Sequence, residues 1–318
     1  MKMKILFHDC CFDGTASAAV FTRFYRERVN PTAEFAYQGL SHKGAGLLDP
    51  ALFDGDENAI VDFRYSVAPK LTWFFDHHVS AFPNPGEEEH FKQDRSGHKF
   101  HDPTAKSCTK FLCDIARERF GFEDAPLKDL VHWAEIIDGA MFPDARTAVK
   151  LEQPALKLMM VIEANPTRTL IPTLIQDMQT KSLEEIVASP YVAEPLAPLL
   201  ERHLASVDVV RKAASMDKGV VFFDLADQKV NALNKFIAYD LFPEARYTVS
   251  VSQFPGRAKI SVGSNPWPRT PRTHDIARIC ERYGGGGHPV VGAISYPSEE
   301  LSKARSVAQE IVRELQQG

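Results

Sequence analysis

The chain opens on a short apolar run, Lys4 to Phe7, that gives way at once to a polar cluster and Gly14. Beyond it, Ala18, Phe21, Phe24 and Tyr25 recur at the spacing of one helical face. Strand, polar turn and helix in that order open an α/β unit. Ala59 to Asp62 and Leu71 to Phe75 predict two further buried strands, each running straight into acidic or histidine residues. In open α/β sheets ligands gather at the carboxyl ends of the strands, so polar residues there are informative. Pro83 to His101, rich in charge, glycine and proline, predicts a surface loop. Helical periodicity dominates from Ala105 to about Ala214, including Leu127–Ile137, Gln153–Glu163 and Leu196–Val210. Pro126 and Pro195 stand just ahead of the first and last of these, where proline suits a helix start. The tail changes character: Gly219–Phe223, Tyr247–Val251 and Ala258–Val262 predict strands, with helices near Val230–Leu241 and Ser298–Gln316. The expected organisation is an α/β domain over 1–187, a helical linker over 188–216 and a smaller α/β domain over 217–318.

Composition narrows the class. A chain of 318 residues is long enough for two domains. No run approaches the roughly 18 apolar residues that cross a bilayer. His8 and Asp9 follow the first apolar run so closely that it reads as an opening strand and not a signal peptide. The expectation is therefore a cytoplasmic protein without a membrane partner. The five cysteines are odd in number, Cys10 and Cys11 are adjacent, and no Cys-x-x-Cys occurs, which excludes a disulfide framework and a zinc knuckle. A formal net charge of −5 argues against long-duplex nucleic acid, whose binding depends on many basic contacts. A small anionic substrate fits if cations are concentrated locally. Between positions 251 and 290, Arg257, Lys259, Arg269, Arg272, Arg278 and Arg282 face only Asp275 and Glu281, a local cationic patch suited to steering anions.

Four segments could carry chemistry: His8 to Gly14, Val61-Asp62, Asp76-His77-His78 and Ile136 to Gly139. Taken singly, an aspartate after a strand is most often a cap or turn former. Asp138 before a glycine looks like any helix end, and adjacent histidines are often structural. Taken together, carboxylates and imidazoles follow buried apolar runs three times in the first 80 residues, which favours a metal site. Mixed imidazole and carboxylate ligands suit manganese, zinc, iron or cobalt more than magnesium or calcium. Two such ions about 3.5–4 Å apart can clamp the attacking and leaving oxygens of an in-line phosphoryl displacement. His132 reads as structural, and the remaining histidines show no ligand spacing. Trp267, in Asn265-Pro266-Trp267-Pro268, either stacks on a base or packs on its own domain.

Asp76-His77-His78 resembles the signature of the DHH phosphoesterase family, and the other segments fall in that family's order and rough spacing. Gly284-Gly285-Gly286-Gly287-His288 is similar to the glycine-rich motif of the C-terminal domain that accompanies many DHH enzymes. The resemblance covers nearly the whole chain. It implies two α/β lobes joined by a helical linker, with the active site in the cleft between them. It also implies two divalent ions, manganese foremost. Asp62 then bridges both ions, Asp13, His77 and Asp138 complete one, and His8 serves the other. His78 orients a ligand or meets the substrate phosphate. Backbone N–H groups of Gly284 to Gly287 would cradle a phosphate and His288 would add a donor, so His78 and His288 are the expected catalytic side chains.

Two departures bear on this. Cys11 stands where the family's first motif has an aspartate, and the spacing from His8 to Asp13 is one residue shorter than in many members. Either Cys11 ligates the first ion, which softens that site towards zinc, iron or cobalt, or it is a buried neighbour; Asp9 is the alternative ligand. Where relatives carry Ser-x-Arg-Ser, this chain has Ser261-Val262-Gly263-Ser264, so recognition shifts to residues such as Ser264 and Asn265. The expected activity is hydrolysis of phosphodiester or phosphomonoester bonds in small nucleotides or short oligonucleotides, by a monomer or homodimer. An exopolyphosphatase or pyrophosphatase is the alternative of the same class, and a non-catalytic nucleotide sensor or scaffold that of another class.

Overall fold

The computed structural model describes residues 1–41, 46–164, 167, 169–228 and 233–317. The chain divides into two compact units: Met1–Phe142 with Leu151–Ala197, and Pro143–Lys150 with Pro198–Gly318.

In the first unit five strands form a parallel sheet: β1 (Lys2–His8), β2 (Glu34–Leu40), β3 (Glu57–Val61), β4 (Leu71–Asp76) and β5 (Lys99–His101). Their order is β2-β1-β3-β4-β5. Ile5, Leu6 and Phe7 of β1, like Ala59, Ile60 and Val61 of β3, are buried on both faces, which is why they read as continuous apolar runs. The helix Phe12–Arg28 is buried almost all round. Phe21, Phe24 and Tyr25 pack edge-on against Trp73 of β4 at centroid distances of 5.8–6.0 Å. The order places a switch point between β1 and β3, the position at whose carboxyl edge ligands gather in open α/β sheets.

In the second unit β6 (Ser215–Asp217), β7 (Val220–Asp224), β8 (Tyr247–Phe254), β9 (Arg257–Ser264), β10 (Gly286–His288) and β11 (Val291–Pro297) make a mixed sheet ordered β10-β11-β9-β8-β7-β6. Only β7 and β8 run parallel. The helix Leu301–Leu315 buries Ala304, Ala308, Ile311 and Leu315 against Val249, Val251, Ile260 and Val262, the four-three-four spacing of one helical stripe.

Several expected elements are corrected. Pro83 to His101 is not all loop: it holds the helix Glu87–Gln93 and strand β5. Glu87-Glu-Glu-His-Phe-Lys-Gln93 carries charge on every face, so its helix has little hydrophobic signature. The helix expected from Leu196 begins at Pro190 and continues to Ala213, with Pro195 inside it. Pro195 and Pro198 each remove a backbone donor where the chain passes from one unit to the other. The helix expected from Val230 runs over Ile237–Leu241, and residues 229–232 lie outside the described residues. The last helix starts at Leu301, after a single 3-10 turn at Ser298–Glu300. Among the described residues no helix is long and apolar enough to cross a membrane.

Candidate metal centre

Parallel register delivers the site. Phe7 pairs with Val61, and Val61 with Phe75, so the next residues, His8, Asp62 and Asp76, arrive level at one edge of three neighbouring strands. The helix Phe12–Arg28 starts directly above β1. A Cβ on Gly14 would lie 2.2 Å from the His8 carbonyl oxygen, so only glycine lets this helix descend far enough to bring Asp13 into the cluster. Cys10, Asp62 and Ala140 hold left-handed backbone at φ 55°, 55° and 49°. Each such non-glycine residue costs about 1–3 kcal/mol, and their concentration around one cluster marks a place where geometry outranks local comfort.

Asp62 is the centre of the cluster. Its Oδ2 faces His8 Nδ1 at 3.6 Å, and its Oδ1 faces His77 Nε2 at 3.5 Å and His78 Nδ1 at 3.9 Å. Both carboxylate oxygens are buried without a hydrogen-bond partner, and so is His77 Nε2. Leaving a buried polar atom unsatisfied costs roughly 1–3 kcal/mol. These separations are too long for hydrogen bonds. They are a few tenths of an ångström longer than the spacing of two ligands on one ion, since donors about 2.1 Å from a cation, at octahedral or tetrahedral angles, stand about 3.0–3.4 Å apart. His77 is turned for that task, because its Nδ1 donates to the Ala105 carbonyl at 3.1 Å and leaves Nε2 facing the carboxylates. Among the described residues three groups of side chains have ligand atoms close enough to share an ion: His8, Cys11 and Asp62; Asp62, His77 and His78; Asp13, His77 and Asp138.

Charge supports the same reading. Burial, with Asp62 and Asp138 nearby, raises Asp13 well above the usual carboxylate range, and burial with Asp62 raises Asp138. Burial would raise Asp62 too, but the facing His77 and His8 outweigh it and hold it low. Burial works against a charged His77, yet Asp62 and Asp13 push its pKa up to about 10. Without a cation, then, the cluster balances its charge with protons, the state that divalent binding replaces. The donor set of imidazole, carboxylate and one thiol fits manganese, zinc, iron or cobalt.

Asp13 has a second duty that its sequence position does not disclose. Its Oδ2 accepts from Cys108 N at 2.6 Å and its Oδ1 from Thr109 N at 3.1 Å. Those N–H groups open the helix Cys108–Phe120, so Asp13 clamps a helix start 95 residues away to the cluster. Asp138 ends the helix Lys128–Asp138, with its Oδ2 3.2 Å from His77 Nε2. Asp76, to which the motif alone assigns no role, is fully buried and accepts from His78 Nδ1 at 2.7 Å, fixing that ring. His101 Nε2 lies 2.9 Å from the His78 carbonyl. Asp9 is turned elsewhere: a Cβ on Gly39 would lie 2.6 Å from its carboxyl carbon.

Cys11 caps the helix start without a side-chain cap bond, and burial beside Asp62 and Asp13 pushes its thiol far up. Only a cation at this position would favour the thiolate. We expect Cys11→Asp to shift the metal ranking towards manganese and Cys11→Ser to weaken zinc and cobalt relative to manganese. Identical rankings of manganese, cobalt, zinc and magnesium in all three proteins would remove Cys11 from the ligand set.

In the second unit the glycine motif is built differently from the expected cradle. Gly286 to His288 form strand β10, antiparallel to β11. A Cβ on Gly285 or Gly287 would stand 2.3 Å from the Ala293 or Val291 carbonyl oxygen, so these two glycines serve close strand packing. Gly284, at φ 77°, makes the turn from the preceding helix, and only Gly286 of the four has open space at its missing side chain without a left-handed backbone. His288 is exposed at the strand end. Ser264 Oγ donates to the Val290 carbonyl at 3.0 Å, joining β9 to the loop after the motif. Asn265, expected at the substrate, is buried with both ends of its amide engaged. Nδ2 donates to the Ala245 carbonyl at 2.8 Å and Oδ1 accepts from Trp267 N at 2.9 Å. It holds the loop. Trp267 packs edge-on against Phe236 at 5.3 Å.

No family model matches the chain, and no curated protein matches its sequence. Solved structures do. A pGpG-specific phosphodiesterase, PggH from Vibrio cholerae, superposes with a TM-score of 0.73 at 17% identity, over 99% of this chain and 100% of that one. A DHH domain from a protein described as belonging to a family of ribosomal proteins gives 0.62 at 15% identity, over 99% of this chain and 87% of that one. RecJ from Thermus thermophilus, in complex with manganese, gives 0.52 at 13% identity, over 98% of this chain and 52% of that one. The chain has the two-unit α/β fold of DHH-domain proteins.

Proposed function

We propose that the chain is a DHH-family phosphoesterase that holds two divalent cations, manganese foremost, and hydrolyses the phosphodiester bond of linear dinucleotides and very short oligonucleotides. The observation that carries this reading is Asp62: a buried carboxylate whose two oxygens lack hydrogen bonds and face His8 on one side and His77 with His78 on the other. In that reading Asp62 would be shared by both ions, Asp13, His77 and Asp138 would hold one, and His8 with Cys11 would hold the other. When bound, such a pair supplies a water that ionises near neutral pH and a clamp on the phosphoryl oxygens.

The side chains supply the rest. Ala105 fixes the tautomer of His77, and Asp76 fixes the ring of His78 through its Nδ1. The dinucleotide preference draws on the full-length correspondence with PggH, described as pGpG-specific, while the matched RecJ is about twice as long. Such substrates accord with a cytoplasmic location.

The test is a panel assay of manganese-reconstituted protein. It would include pGpG, two- to five-nucleotide RNAs, a cyclic dinucleotide, 3′-phosphoadenosine 5′-phosphate, pyrophosphate and polyphosphate. We expect turnover of pGpG and the short RNAs, with pyrophosphate and polyphosphate left intact. Turnover of polyphosphate alone would install the exopolyphosphatase reading, and tight nucleotide binding with no turnover of any compound would install the sensor.

A further inference from the structure

Several arginines of the first unit are committed to carboxylates: Arg23 pairs with Glu27 and Arg117 with Asp114. Arg64 differs. It is half-buried, among the described residues no carboxylate pairs with it, and its guanidinium lies over the Phe63 ring at 5.8 Å. Phe63 is fully buried, and its ring stands 5.9 Å from that of His8, which in turn lies 6.4 Å from the His78 ring. The backbone on either side of Arg64 is pinned. Asp62 N donates to Phe75 O at 2.9 Å, Tyr65 N to Ala81 O at 2.8 Å, and Ala81 N to His78 O at 3.1 Å. The segment after β3 is thus stitched to the loop after β4, and Arg64 stands on the same edge as His8 and His78. Contact with a ring face orients a guanidinium while leaving its N–H donors for an oxygen ligand.

We propose that Arg64 is a catalytic residue of the metal centre, one that contacts a non-bridging oxygen of the phosphoryl group under attack. This deepens the phosphoesterase reading and rests on it for the identity of the substrate. Charge is the reason. Asp13, Asp62 and Asp138, with Cys11 as thiolate, carry four negative charges, equal to the positive charge of two divalent ions. A filled centre is then neutral overall, and the negative charge of a phosphate at its mouth is left without a counter-charge. A guanidinium beside His8 supplies it, and its planar fork suits two phosphoryl oxygens at once. Its hold on Phe63 places that charge before the substrate arrives, so little ordering is needed when the phosphate binds.

The experiment measures binding of inorganic phosphate to manganese-loaded protein by calorimetry, beside pGpG turnover, for wild type, Arg64→Ala and Arg64→Lys. Loss of a charge-assisted contact predicts phosphate affinity lowered about ten- to a hundredfold in Arg64→Ala. Its kcat should fall roughly a hundred- to a thousandfold, because the contact strengthens as charge develops. Bound manganese should be unchanged. Arg64→Lys, which keeps the charge and loses the fork, should fall between and guards against a misfolded alanine variant. If phosphate binding depends on Arg64 while no compound turns over, the hydrolase reading fails and the phosphate contact stands. Unchanged phosphate affinity in Arg64→Ala would make the residue a cover for Phe63 and overturn the proposal. A wild type that binds no phosphate up to millimolar concentration would overturn it as well.

Discussion

Asp62→Asn should lower kcat by about a thousandfold or more and release at least one equivalent of metal, while the protein stays folded. The amide offers one acceptor oxygen in place of two and turns an N–H2 group towards either His8 or His77. One side of a shared carboxylate is then lost outright. Several kcal/mol of charge stabilisation at the reacting phosphate disappear with it, the equivalent of three or more decades in rate. Folding should survive, because the side chain makes no hydrogen bond that the fold relies on, and its backbone N–H still donates to Phe75 O at 2.9 Å. Asparagine also tolerates the left-handed backbone that Asp62 adopts. Metal-stripped Asp62→Asn should even match or exceed wild type in stability, since a buried anion has been removed. Initial rates in manganese-reconstituted buffer, read beside metal content, decide this: activity within tenfold of wild type would end the bridging assignment.

Asp13→Ala should behave oppositely in stability while also losing activity. Asp13 accepts from Cys108 N and Thr109 N, both buried, and no other group stands ready to replace it. Two unsatisfied donors at about 1–3 kcal/mol each predict a loss of roughly 2–6 kcal/mol even without metal. Asp13 and Asp62 are carboxylates of one cluster, so the contrast between them separates a structural anchor from a ligand placed for the ion alone. Urea unfolding of the metal-stripped variants reads it directly. A wild-type midpoint for Asp13→Ala would show that the clamp on the helix Cys108–Phe120 contributes nothing.

How much of the fold and the site is legible in the sequence follows the range of the interactions. Strands β1, β3 and β4 are visible because both faces are buried and each apolar run stops at a polar residue. The same boundary exposes His8, Asp62 and the Asp76-His77-His78 triplet. Strand β2 is not visible: Glu34-Phe-Ala-Tyr-Gln-Gly-Leu40 is only half-buried and alternates weakly. The three residues of β5 are too few for any period. Asp13's anchoring of Cys108 and Thr109, and Ala105's hold on His77, depend on segments far apart in sequence, which local pattern cannot register. Asp76 is hidden by its own motif, since the histidines beside it draw the functional reading while the aspartate positions one of them. In the glycine motif Gly285 and Gly287 also pack closely against β11, a demand that only the strand pairing discloses. Asn265 Nδ2 also holds the Ala245 carbonyl, a contact between separate segments that its sequence position does not disclose.

The central claim is that one carboxylate-imidazole cluster in the first unit holds two cations, and that hydrolysis depends on them. Titration of metal-stripped protein with manganese, following bound ion and pGpG turnover in the same samples, tests it most directly. Two equivalents should bind per chain, turnover should rise as the second is filled, and a chelator should abolish both. Full turnover in chelator, or no manganese bound up to millimolar concentration, would contradict it.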